Sequence, residues 1–143
     1  MSGVLPNQEI EKLIEVGSIT SDVPIDPEQI QPASLDLRLG GKAFRIRASF
    51  LPGSREKVED RLKSLKMHEI DLIDGAVLEK GCVYLIPLLE ELNLSPDIQA
   101  AANAKSSTGR LDLLTRVITN SGEEFDRVSS GYCGKLYAEI CPR

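Results

Sequence analysis

The chain has 143 residues, a formal net charge of −5 and a hydrophobic fraction of 41%. This length and composition are typical of a single globular domain with a modest apolar core. The acidic balance, together with an aromatic content of 4%, argues against an extended nucleic-acid-binding surface or a platform on which bases stack.

The first half of the chain predicts two helices and a hairpin. The spacing of apolar residues predicts a short amphipathic helix over 7–16, with Asn7 as its N-terminal cap. Apolar and polar residues alternate over 35–39 and again over 43–48, with two glycines between, which predicts a β-hairpin. The charged segment 54–65 carries a thin apolar stripe, which indicates a helix on the surface.

The second half of the sequence predicts short strands separated by Gly, Pro, Asn and Asp residues. These runs are 76–78, 82–86, 100–104, 113–119 and 136–141. Such spacing favours a mainly all-β fold, a barrel or a sandwich, with a few helices at its periphery. We expect one domain over 1–143. Because the sequence stops soon after the last strand, we expect either that another subunit completes the sheet or that the chain is a fragment.

No targeting segment is recognisable in the sequence. The N-terminal residues lack the basic and apolar regions of a signal peptide. The longest apolar stretch, 82–89, contains Pro87 and is far shorter than a membrane span. We therefore expect a cytoplasmic protein without membrane contact, in which Cys82, Cys133 and Cys141 are free thiols.

The segment 105–110 is the first candidate for a binding site. It places two cations, three hydroxyl groups and one glycine within six residues. A triphosphate needs charged donors and backbone N–H groups that approach closely, and a helical turn beginning near Ser107 would supply the latter. The spacing is not that of a Walker loop. A solvated loop with a capping serine is the alternative.

Glu139 is the second candidate. Leu136, Ala138 and Ile140 alternate with it, so if they pack into the core, Glu139 points to the opposite face of a strand. Cover by a neighbouring subunit would then partly desolvate the carboxylate, which suits a group that accepts and donates protons. A solvated strand glutamate is the alternative.

The motifs of other hydrolases are absent from the sequence. Zinc-dependent deaminases use an H-x-E and a P-C-x-x-C motif, but His68, the single histidine, is followed directly by Glu69, and no C-x-x-C occurs. A nucleophilic serine in a G-x-S-x-G elbow is also lacking. The sequence therefore predicts no zinc site, and any deamination would have to proceed without a metal at the base.

Two stretches of the sequence, taken together, resemble the dCTP deaminase family. The first is IQPASLDLRLG at 30–40, and the second runs from KSSTGRLDLLT at 105–115 to GYCGKLYAE at 131–139. The resemblance implies a distorted β-barrel of the dUTPase-like type and a homotrimer with active sites between subunits. It also implies hydrolytic deamination of dCTP to dUTP and ammonia, with Mg²⁺ accompanying the triphosphate. The ending resembles the first half of the family's longer, duplicated members cut partway through.

The resemblance also implies the roles of individual side chains. Glu139 matches the catalytic glutamate, which takes a proton from the water that attacks C4 of cytosine and passes it toward the departing ammonia. Ser106 matches the serine that holds this water and its developing negative charge. Arg110 matches the arginine beside both of them.

Four further positions match substrate-binding residues of the family. Lys105 and Ser107 match phosphate-binding positions, Thr119 lies in the wall of the pocket, and Asp126 matches an aspartate on the sugar side. The family usually has Arg in place of Lys105, so the bidentate fork is lost here. The wall at 117–120 is bulkier than usual, and the loop that leads to Asp126 is longer and lacks the usual Asp-Pro-Gly.

Two other functions are compatible with the same residues. A dUTPase-type pyrophosphatase, alone or combined with deamination, would need an aspartate to activate water at the α-phosphate, and Asp126 is the candidate. A non-catalytic, nucleotide-binding half of a duplicated protein would account for the altered wall and for the lack of the family's last strands and C-terminal tail. In every case the expected partner is a small nucleotide, with no nucleic acid and no membrane.

Overall fold

The computed structural model describes residues 3–120 and 122–143. It contains three helices, α1 (Asn7–Glu15), α2 (Val58–Leu65) and α3 (Ser106–Arg110), and a 3-10 turn, Pro27–Gln29. Its strands are β1 (Ile19–Ser21), β2 (Lys42–Ile46), β3 (Lys66–Asp71), β4 (Val83–Asn93), β5 (Ala100–Ala101), β6 (Leu113–Thr119), β7 (Arg127–Val128) and β8 (Cys133–Pro142). No helix in this part of the chain is long and apolar enough to cross a membrane.

Strands β4 and β8 form the centre of the main antiparallel sheet. The strand order is β3-β2-β4-β8-β6, and β1 pairs with the far end of β4. The register of β4 and β8 shifts between Pro87 and Glu91, where proline offers no N–H to the ladder. Strands β5 and β7 form a separate pair. The predicted mainly β class is confirmed. The described residues do not close a barrel, because β3 and β6 remain as edges.

Apolar residues cover both faces of this sheet. On one face, Leu85, Ile118 and Tyr137 pack with Val58 of α2. The opposite face is divided between two clusters, one around Ala138 and one around Leu136. Every residue from Leu136 to Ile140 is buried as a result, a pattern that requires cover on both faces of a strand.

The prediction that 35–39 forms the first strand of a hairpin is wrong. Within 35–39, Leu35 and Leu39 each make one isolated bridge, to Ile30 and Leu88, while β2 pairs with β3 and β4. The backbone groups of this segment are divided between isolated backbone hydrogen bonds, such as that from the Leu89 N–H to the Arg38 carbonyl, and side chains. Gln29 Nε2 donates to the Asp36 carbonyl at 2.9 Å, and the Arg38 N–H donates to Glu90 Oε1 at 2.6 Å.

Other elements differ from the predictions mainly at their ends. Helix α1 begins after Pro6, which has no side-chain cap, so Asn7 is not the N-cap. The predicted strand at 76–78 is irregular, and that at 100–104 shrinks to two residues. Helix α2 begins at Val58, and its apolar stripe packs on the core. The strand at 113–119 is confirmed, and β8 contains the predicted strand at 136–141.

The buried side chain of Glu90 binds the long segment that precedes β2. Its side chain is fully buried, and its oxygens accept from the Arg38 N–H at 2.6 Å and from Arg38 Nε at 3.2 Å. The same guanidinium donates to the carbonyls of Val23 and Pro24 and to Ser21 Oγ. One ion pair therefore ties β1 and the loop after it to the centre of the sheet.

We predict that Glu90→Ala lowers the free energy of unfolding by about 3 kcal/mol, because it leaves the Arg38 cation without its buried partner. The adjacent Glu91 is exposed, so Glu91→Ala serves as the control and should change the free energy by less than about 0.5 kcal/mol. Urea unfolding of both variants measures this difference. Equal stability of the two variants would contradict the assigned role of Glu90.

Candidate active site

Glu139 lies at the centre of the sheet, on the middle strand β8. It pairs with Leu85 on β4 and with Arg116 on β6, and it is 3% exposed. From the sequence, cover by a neighbouring subunit was the condition under which this side chain would lose its water. In the structure, residues of the same chain already cover the face of β8 that carries Glu139.

Arg116 is the partner of the Glu139 carboxylate. Its Nε and Nη2 both lie 3.1 Å from Glu139 Oε2. Nη2 also donates to Ser49 Oγ at 3.3 Å, and the guanidinium carbon stands 3.9 Å from the centre of the Phe125 ring. Such stacking and charge-assisted hydrogen bonds hold an arginine in one orientation.

Glu139 lines a small cavity, and the second oxygen of its carboxylate is unpaired. Oε1 is buried and has no hydrogen-bond partner among the described residues. The cavity has a volume of about 160 Å³ and is lined by Ser49, Val83, Leu114, Arg116, Glu139 and Cys141. Leaving a buried carboxylate oxygen unpaired is costly, so this atom is suited to bind water or a polar group of a ligand.

Tyr137 shares this face of β8 with Glu139. Burial raises the pKa of Tyr137 to about 12, with Glu59 adding to the effect. The phenol therefore stays neutral at physiological pH and adds no charge beside the carboxylate. Its hydroxyl oxygen is also buried and unpaired within the described residues.

The serine-rich segment forms the short helix α3, which begins at Ser106. Lys105 is its N-cap residue, and Lys105 Nζ forms an ion pair of 2.8 Å with Asp36 of the 30–40 motif. The two motifs that were singled out in the sequence are therefore in direct contact. Ser106, Ser107 and Arg110 are exposed on this helix.

The structure does not join the three expected catalytic residues within one chain. Glu139 takes its cation from Arg116 rather than from Arg110, and α3 packs beside the start of β6, at the end of the sheet where Leu113 faces Pro142. Sequence reasoning missed Arg116 altogether. The available signal was one charged residue in the middle of the otherwise uncharged strand 113–119.

The remaining two candidates lie at the other end of β6. Thr119 is buried and faces Leu136. Asp126 has a positive φ of 61° and forms three bonds with neighbouring strands. Its Oδ1 accepts from the Val117 N–H at 2.7 Å, its N–H donates to the Val117 carbonyl, and its carbonyl accepts from the Ala102 N–H. Asp126 thus holds β6 beside β5.

Comparison with known proteins identifies the family of this chain. The family model described as the 2'-deoxycytidine 5'-triphosphate (dCTP) deaminase N-terminal domain matches residues 1–143. The chain belongs to the dCTP deaminase family. The dUMP-forming dCTP deaminase of Tropheryma whipplei strain Twist is 31% identical over 137 residues, 96% of this chain and 66% of that protein. The dCTP deaminase of Actinobacillus succinogenes is 30% identical over 143 residues, 95% of this chain and 71% of that protein.

A solved structure of the family has the same fold. The crystal structure of the dCTP deaminase from Agrobacterium tumefaciens matches with a TM-score of 0.95 and 54% identity, over 99% of this chain and 42% of that one. The chain therefore spans about two thirds of the first of these relatives and less than half of the crystallised protein.

We predict that Asp126→Ala lowers the free energy of unfolding by about 2 kcal/mol, because it leaves the Val117 N–H without its acceptor. Asp126→Asn is the matched control, since asparagine keeps an acceptor oxygen and tolerates a positive φ. Its effect should be less than half as large in urea unfolding. If both variants are equally stable, the hydrogen bond to Val117 is not what makes Asp126 structurally important.

Proposed function

We propose that the protein catalyses the hydrolytic deamination of dCTP, with Glu139 as the residue that moves protons. The observation that carries this proposal is a buried glutamate that lines a cavity and keeps one carboxylate oxygen unpaired, in a chain of the dCTP deaminase family. A carboxylate in such a place can accept a proton from water and release it again within one turnover.

The proposed reaction proceeds in two proton transfers. Water adds to C4 of cytosine while Glu139 accepts one of its protons and delivers that proton to N3 of the ring. The carboxylate then moves the second water proton to the amino group. The bond between C4 and nitrogen breaks, ammonia leaves, and a C4 carbonyl remains.

We further propose that the active site is completed by a second copy of the chain in a homotrimer. The basis is that Ser106 and Arg110 are exposed on α3, whereas Glu139 is buried in the sheet with Arg116. In this arrangement α3 of one copy approaches the Glu139 cavity of the next. Ser106 would hold the attacking water there, and Arg110 would stabilise the charge that develops on it.

Lys105 and Ser107 would hold the triphosphate in the same arrangement, and Thr119 and Asp126 would contact the nucleoside. Asp36 keeps the Lys105 ammonium at the start of α3. We propose that Mg²⁺ arrives with the triphosphate and is bound mainly by phosphate oxygens and water. In residues 3–120 and 122–143, no group of three or more His, Cys, Asp or Glu side chains lies close enough together to hold a metal ion.

The released nucleotide is either dUTP or dUMP. The Tropheryma whipplei relative carries the name dUMP-forming, whereas the Actinobacillus succinogenes relative does not. Deamination is the step that both names share, so it is the activity proposed first. A dUTPase-type second step is the other candidate, and pyrophosphate measured in the same reaction as ammonia distinguishes the two products.

We predict that the full-length protein releases ammonia from dCTP in the presence of Mg²⁺ and that Glu139→Gln reduces kcat by at least about 100-fold. The substitution keeps the size of the side chain but removes its ability to accept a proton. Glu69→Gln is the control, because Glu69 is exposed on the edge strand β3, and it should leave kcat unchanged. A parent protein that binds dCTP without releasing ammonia would favour a non-catalytic, nucleotide-binding role.

We predict that two inactive variants, Ser106→Ala and Glu139→Gln, regain activity when they are co-expressed. Random mixing should restore roughly a quarter of the parental activity. A site works only when the copy that supplies α3 has an intact Ser106 and its neighbour has an intact Glu139, which holds for roughly one site in four. Ser106→Ala mixed with Arg110→Ala is the control and should stay inactive, since both residues lie on the same helix. Mixed oligomers that remain inactive in the first experiment would argue against a site between copies.

A further inference from the structure

We propose that Arg116 is a positioning residue of this site: it binds one oxygen of Glu139, so that the other oxygen, Oε1, is the proton acceptor. This inference rests on the proposed deamination, and it adds a residue and an atom that the resemblance to the family did not supply. Its observational basis is the arrangement of four side chains, Arg116, Glu139, Phe125 and Ser49.

The hydrogen bonds of Arg116 make the two carboxylate oxygens unequal. Both Nε and Nη2 lie 3.1 Å from Oε2. An arginine usually engages a carboxylate with two parallel bonds, one to each oxygen. Here Nε donates to Oε2, while Nη2 lies beside the same oxygen and donates to Ser49. Oε1 is left without a partner in the described part of the chain. Glu139 lines the cavity that is available to a ligand.

Arg116 is itself held from two further sides. Its guanidinium lies over the Phe125 ring at 3.9 Å, and Nη2 donates to Ser49 Oγ at 3.3 Å. These contacts do not depend on the protonation state of Glu139. The guanidinium therefore stays in place while the carboxylate gains and loses a proton, and it remains bonded to Oε2 throughout.

The charge of Arg116 bears on the release of the proton. Arginine is always protonated in proteins. Once Oε1 has taken a proton from water, the cation held against Oε2 favours transfer of that proton to the substrate, because the carboxylate then regains its attraction to the guanidinium.

Few other ionisable groups face Glu139. On β8 its neighbours on the same face are the Tyr137 phenol and the Cys141 thiol, and β4 contributes Val83 and Leu85, which are apolar. The other residues of the cavity are Ser49 and Leu114. Arg116 is the one cation among the described residues that line this cavity.

The test compares the full-length parent with Arg116→Gln and Arg116→Lys. Glutamine removes the charge, whereas lysine keeps it but loses the fork and the stacking on Phe125. At neutral pH the carbon-13 resonance of the Glu139 carboxyl should move in Arg116→Gln and move less in Arg116→Lys, because only the first variant removes the cation beside the carboxylate. In ammonia release, kcat should fall by at least about 10-fold in Arg116→Gln while KM changes little, and Arg116→Lys should keep part of the activity.

Arg45→Gln is the matched control. Arg45 lies on β2, outside the Glu139 cavity, and forms a 3.2 Å ion pair with Glu79. Its loss should change neither the Glu139 resonance nor kcat. An unchanged Glu139 resonance in Arg116→Gln would overturn the inference. If that variant does not fold, an unchanged resonance with parental kcat in Arg116→Lys would do the same. A parent that releases no ammonia would refute deamination, while the NMR measurement would still decide the role of Arg116.

Discussion

The burial of strand β8 on both faces is the constraint on which the rest of the structure depends. Strands β4 and β6 flank it, and apolar clusters cover it from each side. A carboxylate within such a strand persists in ionised form only when a cation and hydrogen bonds compensate for the lost water. Arg116 supplies both to Glu139, so the central strand of the fold and the candidate active site form one unit.

Hydrophobic alternation predicted some elements well and misled in others. The run 113–119 became β6 because its backbone groups pair along β8. The run 35–39 has an equally regular pattern, yet the side chains of Gln29 and Glu90 take two of its backbone groups, and no continuous ladder forms. Alternation shows which side chains can face a core. It does not show whether another strand or a set of side chains satisfies the backbone, because those partners lie far away in the sequence.

The candidate site could be predicted in part for the same reason. Glu139 was recognisable because a carboxylate alternates with apolar residues in its own strand. Its partner depends on the register between β6 and β8, which no local pattern encodes. The source of its burial also escaped prediction, since α2 reaches this face from a distant part of the chain. The ion pair of Lys105 with Asp36 brings together two motifs that lie far apart in the sequence.

The place of β8 in the chain also bears on how the protein is made. It follows every other described strand, yet β4 and β6 both pair with it. During translation the apolar segment 83–89 leaves the ribosome long before its partner at 133–142. Non-local pairing of this kind is slow and leaves strand edges exposed meanwhile. The nascent chain can pair β1, β2 and β3 with β4 or with one another, but the edge of β4 that receives β8 stays open until the end of the described chain has been made.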